Sequence, residues 1–372
     1  MNRWRFALVQ HPMILAVHED RGEPVIIERV PAYGGAAELS EYAERVRRNL
    51  DALRKHPGLK LNYEFSAVEL QILIDNAPDI QPAMREMVER RQLRFVGGDY
   101  SQPHGHLFSG ELNLRQLQQG LRVLKQLTGH RVRTFFHKET CLHDQLPQLL
   151  KAFGFETAVP PMMAHAITPV GPGRYPHLVS NDYSSRLMPA GPDSVASWQG
   201  LDGTEIPLVV VGINDAWLNM ARVRTESHAG LYRCSDLVIA APDMQEIDQD
   251  KYEQIQRLGR SVLVDEALLE EVSTRRATWK ARLHSYWSYS EGQWAESLYR
   301  QIRRTEMLLL AEEALSAVHG VEGRQGFDTD LHTLLTAMHH DVNWIGITDL
   351  KKRYLARLEQ VINRSRERIG EL

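Results

Sequence analysis

The stretch His137-Lys138-Glu139-Thr140-Cys141-Leu142-His143-Asp144 sets two imidazoles, two carboxylates, an ammonium and a thiol in eight consecutive positions. A helical pattern follows at once, so the ionisable run lies just before a helix start. Near the far end of the chain stands His339-His340-Asp341, and near its beginning His11 closes an apolar run. A fourth cluster, Gly97-Gly98-Asp99-Tyr100-Ser101-Gln102-Pro103-His104-Gly105-His106, joins two glycines to a histidine-bearing turn. Neutral imidazole is a favoured metal ligand, and a carboxylate held ionised beside a cation is a candidate nucleophile. These residue types therefore suit metal binding, covalent catalysis, or both.

Positioning such groups requires elements that end where they stand. "RFALVQH" reads as a strand, "ELSEYAERVRRNLDALRKH" as a helix and "LKLNYEF" as a strand. "IQPAMREMVERRQ" reads as a helix, "LRFVGG" as a strand, and "ELNLRQLQQGLRVLKQL" as a helix with Ser109 as N-cap and Leu114, Leu117, Leu121 and Leu124 on one face. "VRTFFH" is the next strand. The helix after it has Asp144 as expected N-cap, Pro147 in its first turn, Leu146, Leu149, Leu150 and Phe153 as its stripe, and Gly154 as its stop. Such βα alternation predicts parallel strands with helices outside, and active sites of such folds lie at the C-terminal strand ends. His11, Glu64, the 98–106 turn and the 137–143 run all fall at such ends. "PPMMAHAITPVGPGRYPH" reads as a long loop over the mouth. From about residue 291 the pattern changes to long helices, so we expect an α/β unit over 1–290 and a small helical bundle over 291–372.

The totals exclude several classes. A net charge of −4 over 372 residues leaves no basic stripe for nucleic acid. No stretch reaches the roughly 18 apolar residues of a membrane span. Gln10, His11 and Pro12 interrupt the N-terminal apolar run, which therefore reads as a first strand rather than a signal peptide. Two cysteines, Cys141 and Cys234, make no disulfide framework and fit a reducing, cytoplasmic setting. A homo-oligomer stays open.

Three segments carry a resemblance: "RFVGGDYSQPHGHLFSGELNLRQLQQG", "QLPQLLKAFGF" and "AMHHDVNWIGITDLKKRYLARL". In this order they resemble glycoside hydrolase family 38, the retaining α-mannosidases, over roughly residues 5 to 365. The resemblance implies a (β/α)7-type barrel followed by a helical bundle; no counterpart of the family's β domains follows in this sequence. It also implies a zinc ion held by a His-x-Asp pair, by the nucleophilic Asp and by a His of the "HHD" motif, with a second carboxylate as acid/base. His340 stands at the last zinc histidine and His11 at the first, whereas Met13 replaces the Asp of that pair and Lys138 stands at the nucleophile position. Glu139 follows directly, and we expect it to be the nucleophile. His104 occupies a position held by a substrate-contacting Asp in many members, and is expected as a further metal ligand. Asp215 is the expected acid/base, with Asp182 as runner-up. His106, Lys138, His143, Asp341 and Trp217 are expected to contact substrate.

Losing two anions and gaining a cation leaves two ways to balance the site. Either the metal moves toward histidines, or Lys138 takes over part of its charge and keeps Glu139 ionised. The sequence thus points to a metal-assisted glycosidase acting on a small or modified glycoside. A deacetylase-like hydrolase with a metal-bound water as nucleophile, or a sugar-binding homologue without turnover, stands beside it.

Overall fold

A computed structural model describes residues 4–15, 38–159, 166–169, 195–209, 231–234, 236–242, 244–274, 280–281, 283–286, 293–321, 326–343 and 348–372. Strand β1 (Arg5–Gln10) is buried along its whole length because nearly every residue of RFALVQ faces another layer. Helix α1 (Leu39–Lys55), β2 (Leu61–Tyr63), α2 (Ala67–Asn76), α3 (Ile80–Glu89) and β3 (Leu93–Phe95) follow. Next come α4 (Gly110–Thr128), β4 (Thr134–Phe135), α5 (Leu146–Ala152), β5 (Thr157–Ala158) and β6 (Ala166–Pro169). Then β7 (Val195–Gln199), β8 (Glu205–Val209), β9 (Leu231–Cys234), β10 (Leu237–Ala240), α6 (Gln249–Leu258), β11 (Arg260–Ser261) and α7 (Val264–Thr274) complete the middle of the chain. After β12 (Lys280–Ala281) and β13 (Leu283–Tyr286) the elements among the described residues are helices: α8 (Gln293–Val318), α9 (Phe327–Ala337), the single turn α10 (His340–Asn343) and α11 (Thr348–Gly370).

Among the described residues the strands lie in three sheets. The first runs β3-β2-β1-β10-β9, with β11 also on β1; the second runs β12-β7-β8-β5-β4; the third is the β6–β13 ribbon. Pairing within the first is parallel except for β9 on β10. The α/β architecture with parallel strands is as expected. Among the described residues, however, the strands do not close into one continuous barrel ladder. Gly97 N–H donates to Thr134 O at 3.2 Å, which ties the end of β3 to β4 across the gap between the two larger sheets.

Four expectations change. Residues 160–177 are not one loop throughout, since Ala166–Pro169 pairs antiparallel with β13. Asp144 does not cap α5: Gln145 occupies the N-cap, without a side-chain bond. On α4 the buried stripe runs through Leu112, Leu117, Val123, Leu124 and Leu127, and Leu114 is exposed. Helix α2, not marked by the sequence pattern, is apolar around much of its surface, which blurs helical periodicity.

Ser109 does cap α4, accepting from Leu112 N–H at 3.1 Å, and its hydroxyl donates to Glu306 of α8. Arg115 of α4 pairs with Glu313 of α8, so the long C-terminal helix is tied to the α/β layers by polar contacts. Gly120 is required by close approach: a Cβ there would lie 2.2 Å from Gly98 O and 2.3 Å from Asp99 C. Helix α4 thus presses directly on the backbone of the polar turn.

Candidate active site

Each functional group is delivered by a strand end or by the turn between α9 and α10. His11 follows β1, its N–H donating to Pro242 O and its carbonyl accepting from Met244 N–H. Glu64 follows β2, and the 97–106 turn follows β3. Within that turn Gln102 adopts φ +50, a left-handed conformation unusual for a residue with a side chain. His137 to His143 follow β4. An isolated bridge between Pro103 and His339 docks the α9–α10 turn onto the polar turn, and His340 Nδ1 lies 3.2 Å from Gln102 O.

Three expected groups converge. His340 Nε2 is 3.1 Å from Glu139 Oε2, and His11 Nε2 is 4.0 Å from the same oxygen. The donor atoms of His11, Glu139 and His340 all lie within 4.8 Å of one another, and all three residues are buried. His104 stacks on His340 with ring centroids 6.0 Å apart, just outside this compact donor set. His106 lies 6.4 Å from His104 by ring centroids. His143 is buried against Gly105, where a Cβ would come within 3.0 Å of its ring. Lys138 is buried beside Glu139, and Asp341 Oδ1 is 3.4 Å from His340 Nε2. Met13 is buried in the core, leaving no carboxylate at that position. Asp215, Asp182 and Trp217 lie outside the described residues.

Several buried ionisable groups escaped the sequence reading. Glu64, noted only as a strand-end residue, places one carboxylate oxygen 3.3 Å from His11 Nδ1 and the other 3.2 Å from His137 Nδ1. His137 Nε2 in turn lies 3.0 Å from Asp99. Glu69 accepts from the N–H groups of Ile14 and Leu15 and faces His339 Nε2 at 4.0 Å. A carboxylate between apolar residues at a strand end, as in "NYEFS", is the signal that could have marked Glu64.

The charges are mutually dependent. Burial pushes the Glu139 carboxyl up, but His340, His11 and Lys138 outweigh it and hold the group down to about 2. Burial opposes protonation of His340, yet Asp341 and Glu139 raise it to about 9. His137 rises to about 9 against its own burial through Asp99 and Glu64. Glu64 stays below its ordinary value because His11 and His137 offset desolvation. Burial, then His340 and His106, drive His104 well below 6.5, leaving it neutral at pH 7.

The donor set fits a cation. Two imidazole nitrogens and one carboxylate oxygen suit zinc. His11 Nε2, buried and without a hydrogen-bond partner among the described residues, is the unsatisfied atom such an ion would engage.

Comparison with known proteins bears on the same region. Residues 36–236 match the profile of the glycosyl hydrolases family 38 N-terminal domain. The chain belongs to glycosyl hydrolase family 38. A 133-residue stretch is 25% identical to α-mannosidase G of Dictyostelium discoideum, covering 36% of this chain and 10% of that protein. An α-mannosidase from Enterococcus faecalis superposes over 99% of this chain and 43% of its own, with TM-score 0.65 and 16% identity. A branching enzyme of family GH57 from Thermococcus kodakaraensis superposes over 98% of this chain and 89% of its own, with TM-score 0.60 and 12% identity. The structural likenesses show a shared fold. The family 38 chain spans less than half the length of the α-mannosidases it matches, and its membership makes it glycoside hydrolase-like. Among the described residues no helix is long and apolar enough to cross a membrane.

Proposed function

We propose that this chain is a metal-assisted, retaining glycoside hydrolase of the α-mannosidase type, acting on a small or modified glycoside. The convergence of His11, His340 and Glu139 carries the reading. His11, His340 and Glu139 would hold zinc, with His104 within reach of a small rearrangement. Bound there, the ion supplies Lewis acidity toward sugar hydroxyls. Glu139, kept ionised by its neighbours, attacks the anomeric carbon and forms a glycosyl ester as the bond to the leaving oxygen breaks. That oxygen takes a proton from Asp215; water then cleaves the ester and returns the proton to Asp215. His106, Lys138, His143, Asp341 and Trp217 bind the sugar. Buried Cys141, in no disulfide, suits the reducing cytoplasm we assign to the protein.

An activated 2-fluoro-glycoside tests the assignment. It should add its sugar mass to the peptide containing Glu139. Hydrolysis of aryl glycosides without such a label would move the nucleophile to a metal-bound water, as in deacetylase-like hydrolases. Purified protein that retains no divalent metal and cleaves no aryl glycoside would sink the proposal. Buried Met13 and Lys138 favour one second reading, a sugar-binding homologue without turnover. Tight sugar binding in the absence of turnover would decide for it.

A further inference from the structure

One carboxylate in this region, Glu64, turns its two oxygens to the segments that carry His11 and His137. Glu64 has no exposed surface, and burying a charged group is unfavourable unless its partners satisfy it. Its backbone is fixed on both sides, the N–H donating to Gln10 O at 3.0 Å and the carbonyl accepting from Gln102 Nε2 at 3.1 Å. Its two oxygens divide the work. Oε1 accepts from Lys138 N–H at 2.5 Å and lies 3.2 Å from His137 Nδ1, while Oε2 lies 3.3 Å from His11 Nδ1. One side chain on β2's end therefore holds the strand ends of both β1 and β4.

We propose that Glu64 is the positioning residue of the site, fixing the proton of His11 on Nδ1 so that Nε2 faces Glu139, and anchoring the backbone that presents Glu139. The inference rests on the reading that His11 and Glu139 form the working centre. An ionised carboxylate only accepts hydrogen bonds, so the imidazole nitrogen against it must be the donor. Outer carboxylates of this kind orient ligating histidines and raise their basicity. Glu64 also restores, from a neighbouring strand, negative charge beside His11 that Met13 does not supply.

Glu64→Gln separates this role from packing. The N–H of Lys138 forces the amide oxygen toward itself, which turns the amide NH2 toward His11 Nδ1. A donor now faces that nitrogen, so its proton must leave.

The readout is long-range 15N–1H correlation on 15N-histidine-labelled protein, with and without zinc. In the wild-type chain Nδ1 of His11 should carry a proton, and in Glu64→Gln it should not. Binding of zinc ion alone, measured against a chromophoric chelator, should weaken by roughly 10–100-fold. A wild-type His11 with bare Nδ1, or a Glu64→Gln protein that keeps both Nδ1–H and zinc affinity, overturns the inference. If the variant does not fold, the wild-type spectrum decides alone. Wild-type protein that binds no zinc refutes the metal-assisted reading, whereas the Nδ1 proton still reports on Glu64.

Discussion

Two of the regions that bury carboxylates neutralise them by different means. In the C-terminal helices Glu312 and Asp330 are buried, and both are held by arginine. Arg368 donates to Glu312 at 2.6 and 3.0 Å and to Asp330 at 2.7 Å, Arg364 donates to Asp330 at 3.1 Å, and Ser365 Oγ donates to Glu312 at 2.8 Å. Glu64 and Glu139 at strand ends, and Glu69 in the first turn of α2, are just as buried but face imidazoles. A guanidinium is always charged, forks onto two oxygens and never ligates a cation. An imidazole can lose its proton and bind a metal. The arginine lattice is built to stay as it is; the imidazole cluster is built to exchange protons and partners.

The largest effect that sharpens this contrast is kinetic. Glu139→Gln should reduce glycoside turnover by at least about 10³-fold in the fraction of the protein that stays folded. Glu312→Ala should spare turnover by the folded fraction. It removes one of the two carboxylates that hold the half-buried Arg368 guanidinium and should cost about 3 kcal/mol in urea unfolding. Equal destabilisation by Glu139→Ala would erase the distinction, because there His11 and His340 can discharge by losing protons.

Metal is the next lever. Chelation should lower the unfolding free energy by about 2.7 kcal/mol when free zinc had stood at 100 times its dissociation constant, and His11→Ala should abolish that difference. The arginine lattice should be indifferent. A chelator effect that survives His11→Ala would place the ion elsewhere.

The metal-free protein should also respond to pH in one region only. His340 titrates near 6.5 when unfolded and about 9 when folded, so its stabilisation is fully present below pH 6.5 and is lost as pH rises through 9. His137 behaves likewise. Between pH 7 and 9.5 stability should fall by roughly 2 kcal/mol for each of these two histidines, read from urea midpoints. Glu139 runs the other way: its contribution is present above 4.5 and lost as pH falls through about 2. Guanidinium pairs are silent in the alkaline window.

The smallest effects concern helix starts. Ser109→Ala should cost about 1 kcal/mol through loss of a real cap, and Asp144→Ala less than about 0.5 kcal/mol, because Asp144 caps nothing.

That pair also shows where the sequence was legible. Strand ends and long amphipathic helices were readable because each rests on a repeating local pattern, as in α1, α4 and β1. Asp144 misled because the chain turns once more before α5 begins, and cap chemistry alone cannot locate that turn. Leu114 misled because α4 packs on two layers, so burial follows Leu112 and Val123 rather than a single leucine stripe. At the site, His11, Glu139 and His340 could be named since residue type and resemblance marked them. Glu64 could not, because its meaning lies in two nitrogens contributed by other strands. Pairing across 53 and 73 residues of chain leaves no local trace.

Gly120 faces no substrate, yet it sets how near α4 can come to the segment that carries Gln102 and His104. A methyl group at that position would have to displace the main chain of residues 98–100, and with it the carbonyl against which His340 rests. Damage to the site can therefore originate at a helix residue that touches none of its ionisable side chains.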